Sequence, residues 1–256
     1  HPPPPAGTRQ ISITNNCPQP IWVQSLGNGG SAPLVSPPPR IDARGVYTLT
    51  VPAGGWAGRF WPKTGCNGAG SGCAWGDSQG PCPPGEVCHP PAHTLGEFFF
   101  PPLNNGRDSF YDVSLVDGFS LPAKIAPVGL ASAGSFVPTT CALPLSACPS
   151  DEAGGLGDLR VIRNGATVAC ISPCKRWNYK APYGFGRPDN QYPGSMYCCP
   201  TPPVTVGQCR AGPVVGTKYV KLIRSACPTA YSFAYDDEGG NHNCPNSASY
   251  AVTFCP

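Results

Sequence analysis

Cysteine is the residue type that most constrains how this chain can fold. Fifteen of the 256 residues are cysteine, and this density, without the spacing of a metal site, is typical of disulfides formed in an oxidising compartment. No run of about 18 apolar residues occurs, so no transmembrane helix is predicted. The sequence begins with His1 and four prolines, which we interpret as a mature N-terminus left by processing. We therefore expect a secreted protein, extracellular or in a cell wall.

The composition predicts a folded protein that does not bind nucleic acid. The chain has 35 prolines and 32 glycines, a share that alone would be compatible with disorder. Against disorder, 40% of the residues are hydrophobic and 10% aromatic, enough for a sizeable core in a chain of this length. The net charge is only +3, without a run of Lys or Arg. No phosphate-binding glycine loop is present, and no cofactor is expected. We also expect a monomer.

Short stretches of alternating polar and apolar residues predict a mainly β protein, a sandwich or barrel. A disulfide-tied lobe is expected between Cys141 and Cys227, where eight cysteines lie among loops. The strongest helical pattern is Lys218–Ala226, which Pro228 ends. Residues 1–8 are expected to form an extended arm. The predicted strands are 10–15, 21–24, 46–51, 57–61, 94–100, 109–116, 158–161 and 250–255.

Three acidic residues are the first candidates for chemistry. A pair of carboxyl groups with different pKa values is the machinery of glycoside hydrolysis. Spacing alone favours a plainer interpretation for Glu97, that of a solvent-facing residue on a half-buried strand. The candidates are Glu97, Asp112 and Asp117.

Metal binding is a weaker hypothesis. Cys82, Cys88, His89 and His93 lie close in sequence, and such sets can bind zinc. In an oxidising compartment a Cys82–Cys88 disulfide beside two loop histidines is the better interpretation. An N-terminal His1 could chelate copper, but we favour a terminal residue exposed by processing. No metal site is predicted.

Residues 175–197 form an aromatic loop rich in glycine and proline. The rings could stack on sugars, or they could anchor the loop to the body of the protein, and the sequence does not decide between these interpretations. No acyl-transfer site is predicted, because a Gly-x-Ser-x-Gly elbow is absent and Cys170 and Cys174 have no histidine in a known spacing. The aromatic residues are Trp177, Tyr179, Tyr183, Phe185, Tyr192 and Tyr197.

Nine segments follow one another in the order of a known family. They are ISITNNCP (11–18), IWV (21–23), GRFWPKTGC (58–66), CAWGD followed by a cysteine (73–82), TLGEF (94–98), YDVSLVDGF (111–119), YCC (197–199), CPTAYSFAYDD (227–237) and YAVTFCP (250–256). Together they resemble the thaumatin-like proteins of the pathogenesis-related thaumatin and osmotin type, from about residue 9 to the C-terminus. Lys63 stands where that family usually has arginine, and 73–82 carries an insertion.

The resemblance implies a flattened β-sandwich, a disulfide-rich lobe and a small extra loop domain. The sandwich core would come from 9–140 and 245–256, and the lobe from about 141–227, within one unit spanning 9–256. Between them, glucan-active relatives have an acidic cleft lined by one Arg, one Glu and three Asp. By motif, these fall on Arg59, Glu97, Asp112, Asp117 and Asp237, with Asp236 as the alternative for the last.

The resemblance also implies a disulfide pattern. The family usually has sixteen cysteines, and the expected partner of Cys170 would fall near Gly155, so Cys170 is predicted to be the free thiol. The implied bridges are Cys17–Cys255, Cys66–Cys73, Cys82–Cys88, Cys141–Cys244, Cys148–Cys227, Cys174–Cys198 and Cys199–Cys209.

Two hypotheses for function remain open. In the first, the protein binds β-1,3-glucan of cell walls and hydrolyses it weakly, with an antifungal or wall-remodelling role. Glu97 would then be the general acid, Asp112 or Asp117 the base or nucleophile, and Arg59 with Asp236 or Asp237 would bind substrate. In the second, it is a non-enzymatic defence protein that perturbs a fungal membrane or binds a receptor, because fold analogy alone does not establish catalysis.

Overall fold

The computed structural model describes residues 7–77, 89–130 and 136–256. Most of the predicted N-terminal arm lies outside these ranges, as do Cys82 and Cys88 with their predicted bridge. Within the described residues, none of the helices has the length and apolar character that crossing a membrane requires.

The larger sheet has six strands, all paired antiparallel. Its order is β13-β7-β6-β5-β2-β3, so β5, β6 and β7 are neighbours in sequence order, whereas β5 and β2 are separated in sequence by two other strands. The strands are β2 (Ile21–Gly27), β3 (Arg40–Ile41), β5 (Trp56–Thr64), β6 (Leu95–Phe100), β7 (Ser109–Ser114) and β13 (His242–Cys244).

The second sheet has five strands in the order β10-β9-β14-β1-β4. Its first and last strands in sequence, β1 and β14, lie side by side and run parallel, whereas its other pairings are antiparallel. The strands are β1 (Arg9–Asn15), β4 (Val46–Val51), β9 (Ala123–Val128), β10 (Thr139–Cys141) and β14 (Ser249–Phe254).

The two sheets pack face to face through aromatic side chains. On β6, Phe98 and Phe100 are buried at alternate positions, as the two-residue period of a strand requires. Both rings meet Tyr250 of β14 edge-on, at centroid distances of 5.2 and 5.6 Å, and Tyr111 of β7 lies 5.1 Å from the same ring. The mainly β sandwich predicted from the sequence is therefore confirmed.

The α-helices and most of a third, smaller sheet lie in sequence between β10 and β13. The sheet contains β8 (Gly118–Phe119), β11 (Arg160–Arg163) and β12 (Ala166–Ile171), and the helices are α1 (Pro173–Asn178), α2 (Ser195–Cys198), α3 (Val206–Arg210), α4 (Lys218–Ala226) and α5 (Asp237–Gly240). Helix α4 has the predicted bounds. Thr217 caps its N-terminus by accepting a hydrogen bond from the backbone N–H of Val220.

All eight predicted strands overlap strands of the structure, but six others were not predicted. The short strands β3, β8, β10 and β13 have too few residues to show a period. In β9, Pro127 argues against a strand, yet this residue pairs with Tyr250 of β14. Strand β12 was not predicted either, although residues 169–171 are fully buried.

Six disulfides connect the described residues, and four of them have the predicted partners. These are Cys17–Cys255, Cys66–Cys73, Cys174–Cys198 and Cys199–Cys209.

The two other implied pairings that fall within the described residues were wrong. Cys141 is bonded to Cys227, not to Cys244, and Cys148 is bonded to Cys170, not to Cys227. Consequently Cys170 is not the free thiol; the free cysteine among the described residues is the buried Cys244.

A contact between β10 and the segment after α4 explains why Cys141 is bonded to Cys227. The hydroxyl of Thr139 on β10 donates to the carbonyl of Thr229 at 2.6 Å, and this contact brings Cys141 beside Cys227 at the end of α4, with a Cα–Cα distance of 5.0 Å. Cys244 lies on β13 at an edge of the six-stranded sheet, opposite Ser109. The family usually has one cysteine more than this chain, and the structure indicates that the absent one is the partner of Cys244 rather than of Cys170.

Candidate active site

A row of polar side chains crosses the outer face of the six-stranded sheet. Arg59 of β5 pairs directly with Glu97 of β6, and Glu97 pairs with Asp112 of β7. Their chain neighbours Phe60 and Phe98 point into the core, so the row faces the opposite side. The strand period and the register together bring three predicted site residues side by side.

This row forms the floor of a cleft of about 400 Å³. Asp117, just after β7, and Tyr231, after α4, complete its walls. Tyr231 is fixed against β7 because its backbone N–H donates to the carbonyl of Val113 at 2.9 Å. The lining residues are Arg59, Leu95, Glu97, Asp112, Ser114, Val116, Asp117, Tyr231 and Ala234.

Glu97 and Asp112 form a hydrogen-bonded carboxyl pair. Burial raises the pKa of Glu97, and the charge of Asp117 adds to this increase, whereas the hydrogen bond from Asp112 and the charge of Arg59 oppose it. The pKa of Asp112 lies well above its usual range, first through burial and then through the charge of Glu97. The pair therefore keeps one proton at a pH at which exposed carboxyls have lost theirs, and this proton belongs to the pair.

Asp117 is held by a positive charge from the lobe. The ammonium of Lys175, on helix α1, lies 3.5 Å from its carboxylate. The backbone N–H of Ser172 also donates to the Asp117 carbonyl at 3.2 Å. Asp117 thus connects the sheet side of the cleft to helix α1, with its negative charge compensated by Lys175 rather than by a shared proton.

The two alternatives for the last acidic residue have different surroundings. Asp236 is buried and binds the guanidinium of Arg224 through a 2.9 Å ion pair, as well as the Ser232 hydroxyl. Asp237 accepts a hydrogen bond from the Tyr231 hydroxyl at 2.7 Å, and its charge contributes to the raised pKa of Asp112. Asp237 also pairs with Arg210 at 3.0 Å and does not itself line the cleft. It therefore influences the cleft through Tyr231 and through its charge, whereas Asp236 stabilises its own loop.

Comparison with known proteins identifies the family. The sequence profile of the Thaumatin family matches residues 15–256. The chain belongs to the Thaumatin family. It is 37% identical to a glucan endo-1,3-beta-glucosidase of Prunus avium and 35% identical to pathogenesis-related protein 5 of Arabidopsis thaliana; each alignment covers 96% of this chain and 90% of the relative.

The solved structures show the same thaumatin-like fold in a more distant protein. A laminaripentaose-producing β-1,3-glucanase in complex with laminaritetraose superposes with a TM-score of 0.61 over 98% of this chain and 99% of its own. The identity is only 17%, so this similarity establishes the fold and does not by itself transfer the ligand.

Tyr231 is a residue of the thaumatin-like cleft to which the sequence analysis assigned no role. It lies in the segment CPTAYSFAYDD, but that segment has no period that would direct the ring towards the cleft. Its position depends on a parallel bridge to Ser114 of β7, a tertiary contact. Burial and the hydrogen bond to Asp237 raise the pKa of the Tyr231 hydroxyl, so it remains a donor at neutral pH.

The histidines considered for metal binding are packed against aromatic rings. His93 stacks on Trp61 at 4.8 Å, and burial lowers its pKa to about 3, so its ring is neutral. His89 stacks on Trp75 at 5.1 Å. Within the part of the chain that the structure describes, no three His, Cys, Asp or Glu side chains are grouped to hold a metal ion.

The aromatic loop is mainly an anchored structure. Trp177 is buried, and Tyr179, Tyr183 and Tyr197 pack against the core, which favours the anchoring interpretation for these four rings. Tyr192 is the clear exception, with 85% of its surface exposed.

Proposed function

We propose that this protein binds β-1,3-glucan in the cleft and hydrolyses it with two carboxyl functions. The observation that carries the proposal is the proton-sharing pair of Glu97 and Asp112, placed beside Asp117, whose charge is compensated differently. The name of the relative from Prunus avium supports the same substrate and reaction. Disulfides support secretion, because they persist in oxidising compartments.

The Glu97–Asp112 pair is suited to the role of general acid. Cleavage of a glycosidic bond needs a carboxyl group that is protonated near neutral pH and can donate to the leaving oxygen. An isolated exposed carboxyl would be ionised there. Burial and mutual repulsion retain one proton on the pair. Arg59 and the hydrogen bond from Asp112 favour the ionised form of Glu97, so the shared proton would reach the glycosidic oxygen from Asp112 through Glu97, the member that we assign as the donor.

Asp117 is the better candidate for the second function, that of base or nucleophile. The two functional carboxyls of a glycosidase are about 5–5.5 Å apart in retaining enzymes and about 6.5–9.5 Å apart in inverting enzymes. Glu97 and Asp112 are in hydrogen-bond contact, which is too close for either arrangement. Asp117 lines the same cleft, and its charge is balanced by Lys175.

Arg59 provides hydrogen-bond donors for the sugar, and Tyr231 provides an acceptor oxygen. A guanidinium group has five N–H donors, and Arg59 lines the cleft next to Glu97. Tyr231 shares its hydroxyl with Asp237. These groups would orient the glucan ring so that its glycosidic oxygen faces the carboxyl pair.

Two assays on the same preparations test the proposal: binding to insoluble β-1,3-glucan and release of reducing sugar from laminarin. We expect Glu97→Gln and Asp117→Asn to lower the hydrolysis rate at least about a hundredfold, in the range of removing acid–base catalysis, while leaving binding within a few-fold. Asp158→Asn is the control, because Asp158 is an exposed carboxylate paired with Arg160 on the small sheet.

Each outcome has a clear meaning. Glucan binding without release of reducing sugar would reject catalysis and leave a glucan-binding protein. Dye leakage from liposomes that contain no glucan, together with absent glucan binding, would favour the membrane-active alternative and reject both parts of the proposal.

A further inference from the structure

We propose that the outer face of the sheet beside the cleft carries an additional sugar subsite, formed by Phe99 and Phe110. This inference rests on the proposed function, because its ligand is a β-1,3-glucan chain that continues out of the cleft. Phe99 and Phe110 are a directly opposed pair on β6 and β7. Their ring centroids are 6.3 Å apart, and we call this surface the phenylalanine pair.

The register makes the phenylalanine pair continuous with the cleft. Glu97 and Asp112 are opposed on the same two strands, and Phe99 is two residues beyond Glu97. Two residues along a strand keep the same face and advance about 7 Å. The rings therefore lie on the outer face immediately beside the carboxyl pair, at a distance comparable to the length of one sugar unit.

The surroundings of the pair are polar and exposed. Phe110 has 36% of its surface accessible, unusual for a phenylalanine on a strand in the middle of a sheet. The guanidinium of Arg107 lies over the Phe99 ring at 5.4 Å and covers that face, so Phe110 offers the more accessible ring. The amide of Asn243, opposite Phe110, donates to Asp108 at 2.6 Å. Aromatic faces bordered by hydrogen-bonding groups match a sugar, which has an apolar face and a rim of hydroxyls.

A second protein molecule is a poorer occupant. Stable protein interfaces bury about 800 Å² on each partner, and two partly exposed rings among exposed charged residues supply only a small part of such an area. A polysaccharide needs no more than one ring contact for each subsite.

Titration calorimetry with oligosaccharides of two lengths tests the subsite. We expect laminarihexaose to bind the unmodified chain about tenfold more tightly than laminaritriose, because the longer ligand reaches the rings. The double variant Phe99→Thr with Phe110→Thr should lose most of this gain and leave laminaritriose affinity unchanged. Threonine retains strand propensity, and circular dichroism with unchanged laminaritriose binding verifies the fold.

Control variants separate this inference from the proposed function. Val128→Thr alters a side chain 39% exposed on β9 of the other sheet and should change neither affinity. The subsite is overturned if the double variant binds laminarihexaose as tightly as the unmodified chain does. It is also overturned if Tyr192→Ala, and not the double variant, loses the gain in affinity with ligand length. In either case, binding of laminaritriose would still support the cleft proposal. If neither oligosaccharide binds the unmodified chain, both proposals fail.

Discussion

Glu97 and Asp112 occupy directly opposite positions on neighbouring strands, and their carboxyl groups share a hydrogen bond. Like charges opposite each other in a sheet are destabilising. The pair therefore represents a site at which the fold tolerates an unfavourable interaction, and several measurements can test it.

The pair predicts a stability that falls as the pH rises. The folded-state pKa values of Glu97 and Asp112 are raised above their unfolded values, so above the unfolded pKa the native state binds more protons than the unfolded state, and unfolding becomes easier. Asp112→Asn should therefore stabilise the protein by on the order of 1 kcal/mol at pH 7 and have little effect at pH 3, as measured by urea denaturation.

Asp158→Asn is the control of opposite sign. The hydrogen bond from Arg160 lowers the pKa of Asp158, so its ionised form favours the native state above the unfolded pKa, and this contribution is lost as the pH falls. The variant should be slightly less stable than the unmodified chain at pH 7. A stabilising effect of both variants would point to a general effect of removing carboxylates instead of an unfavourable interaction within the pair.

The revised disulfide pattern predicts different costs for two cysteines. Cys170→Ala breaks the bridge to Cys148, which spans 22 residues, and should cost about 3 kcal/mol. Cys244→Ala removes an unbridged thiol and should cost about 1 kcal/mol. Denaturant titration gives both values, and peptide mapping identifies the bridges. A larger cost for Cys244→Ala would restore the originally implied pairing.

The thiol of Cys244 should also be unreactive towards thiol reagents in the native protein. Burial raises its pKa, which keeps it in the unreactive thiol form. We expect its labelling by a thiol reagent at pH 8 only after denaturation. Rapid native labelling at residue 244 would contradict the buried position.

Tyr231→Phe tests the donor between the cleft and Asp237. The variant removes the 2.7 Å hydrogen bond to the Asp237 carboxylate and should cost about 1 kcal/mol of stability and several-fold in glucan affinity. Tyr235→Phe is the matched control, because the Tyr235 hydroxyl contacts Thr201 at 2.7 Å. Equal losses of glucan affinity in both variants would show that the effect is not specific to the cleft.

Glu152 predicts a stability effect outside the cleft. Its buried carboxylate accepts hydrogen bonds of 2.9 Å from the backbone N–H groups of Lys218 and Tyr219, in the first turn of α4. Glu152→Ala leaves these donors unsatisfied and should cost about 2 kcal/mol by denaturant titration. Asp151→Ala, which removes only an exposed ion pair with Lys218, should be nearly neutral.

Local pattern was sufficient for much of the fold. Helix α4 was predicted with its bounds because its apolar face and Pro228 agree. The alternation in β6 predicted a strand with Glu97 on its solvent face, but it did not predict a cleft there. The position of Glu97 between Arg59 and Asp112 depends on the strand register, and the register depends on the whole sheet.

Other features depend on contacts between distant segments and could not be read from the sequence. Asp236 and Asp237 are adjacent and chemically identical, and only the positions of Arg224 and Tyr231 separate their roles. The cysteine order likewise did not indicate which residue had lost its partner, because Cys141 and Cys227 are brought together by β10 and the segment after α4.

The parallel pairing of β1 with β14 has a consequence for folding. Strand β14 occupies the centre of the five-stranded sheet, between β9 and β1, and the bridge Cys17–Cys255 beside it joins residues 238 apart in sequence. Without β14, that sheet is divided into β9 with β10 and β1 with β4. The sheet is therefore completed by contacts of very high sequence separation, which form slowly, and until they form both fragments expose strand edges that favour aggregation.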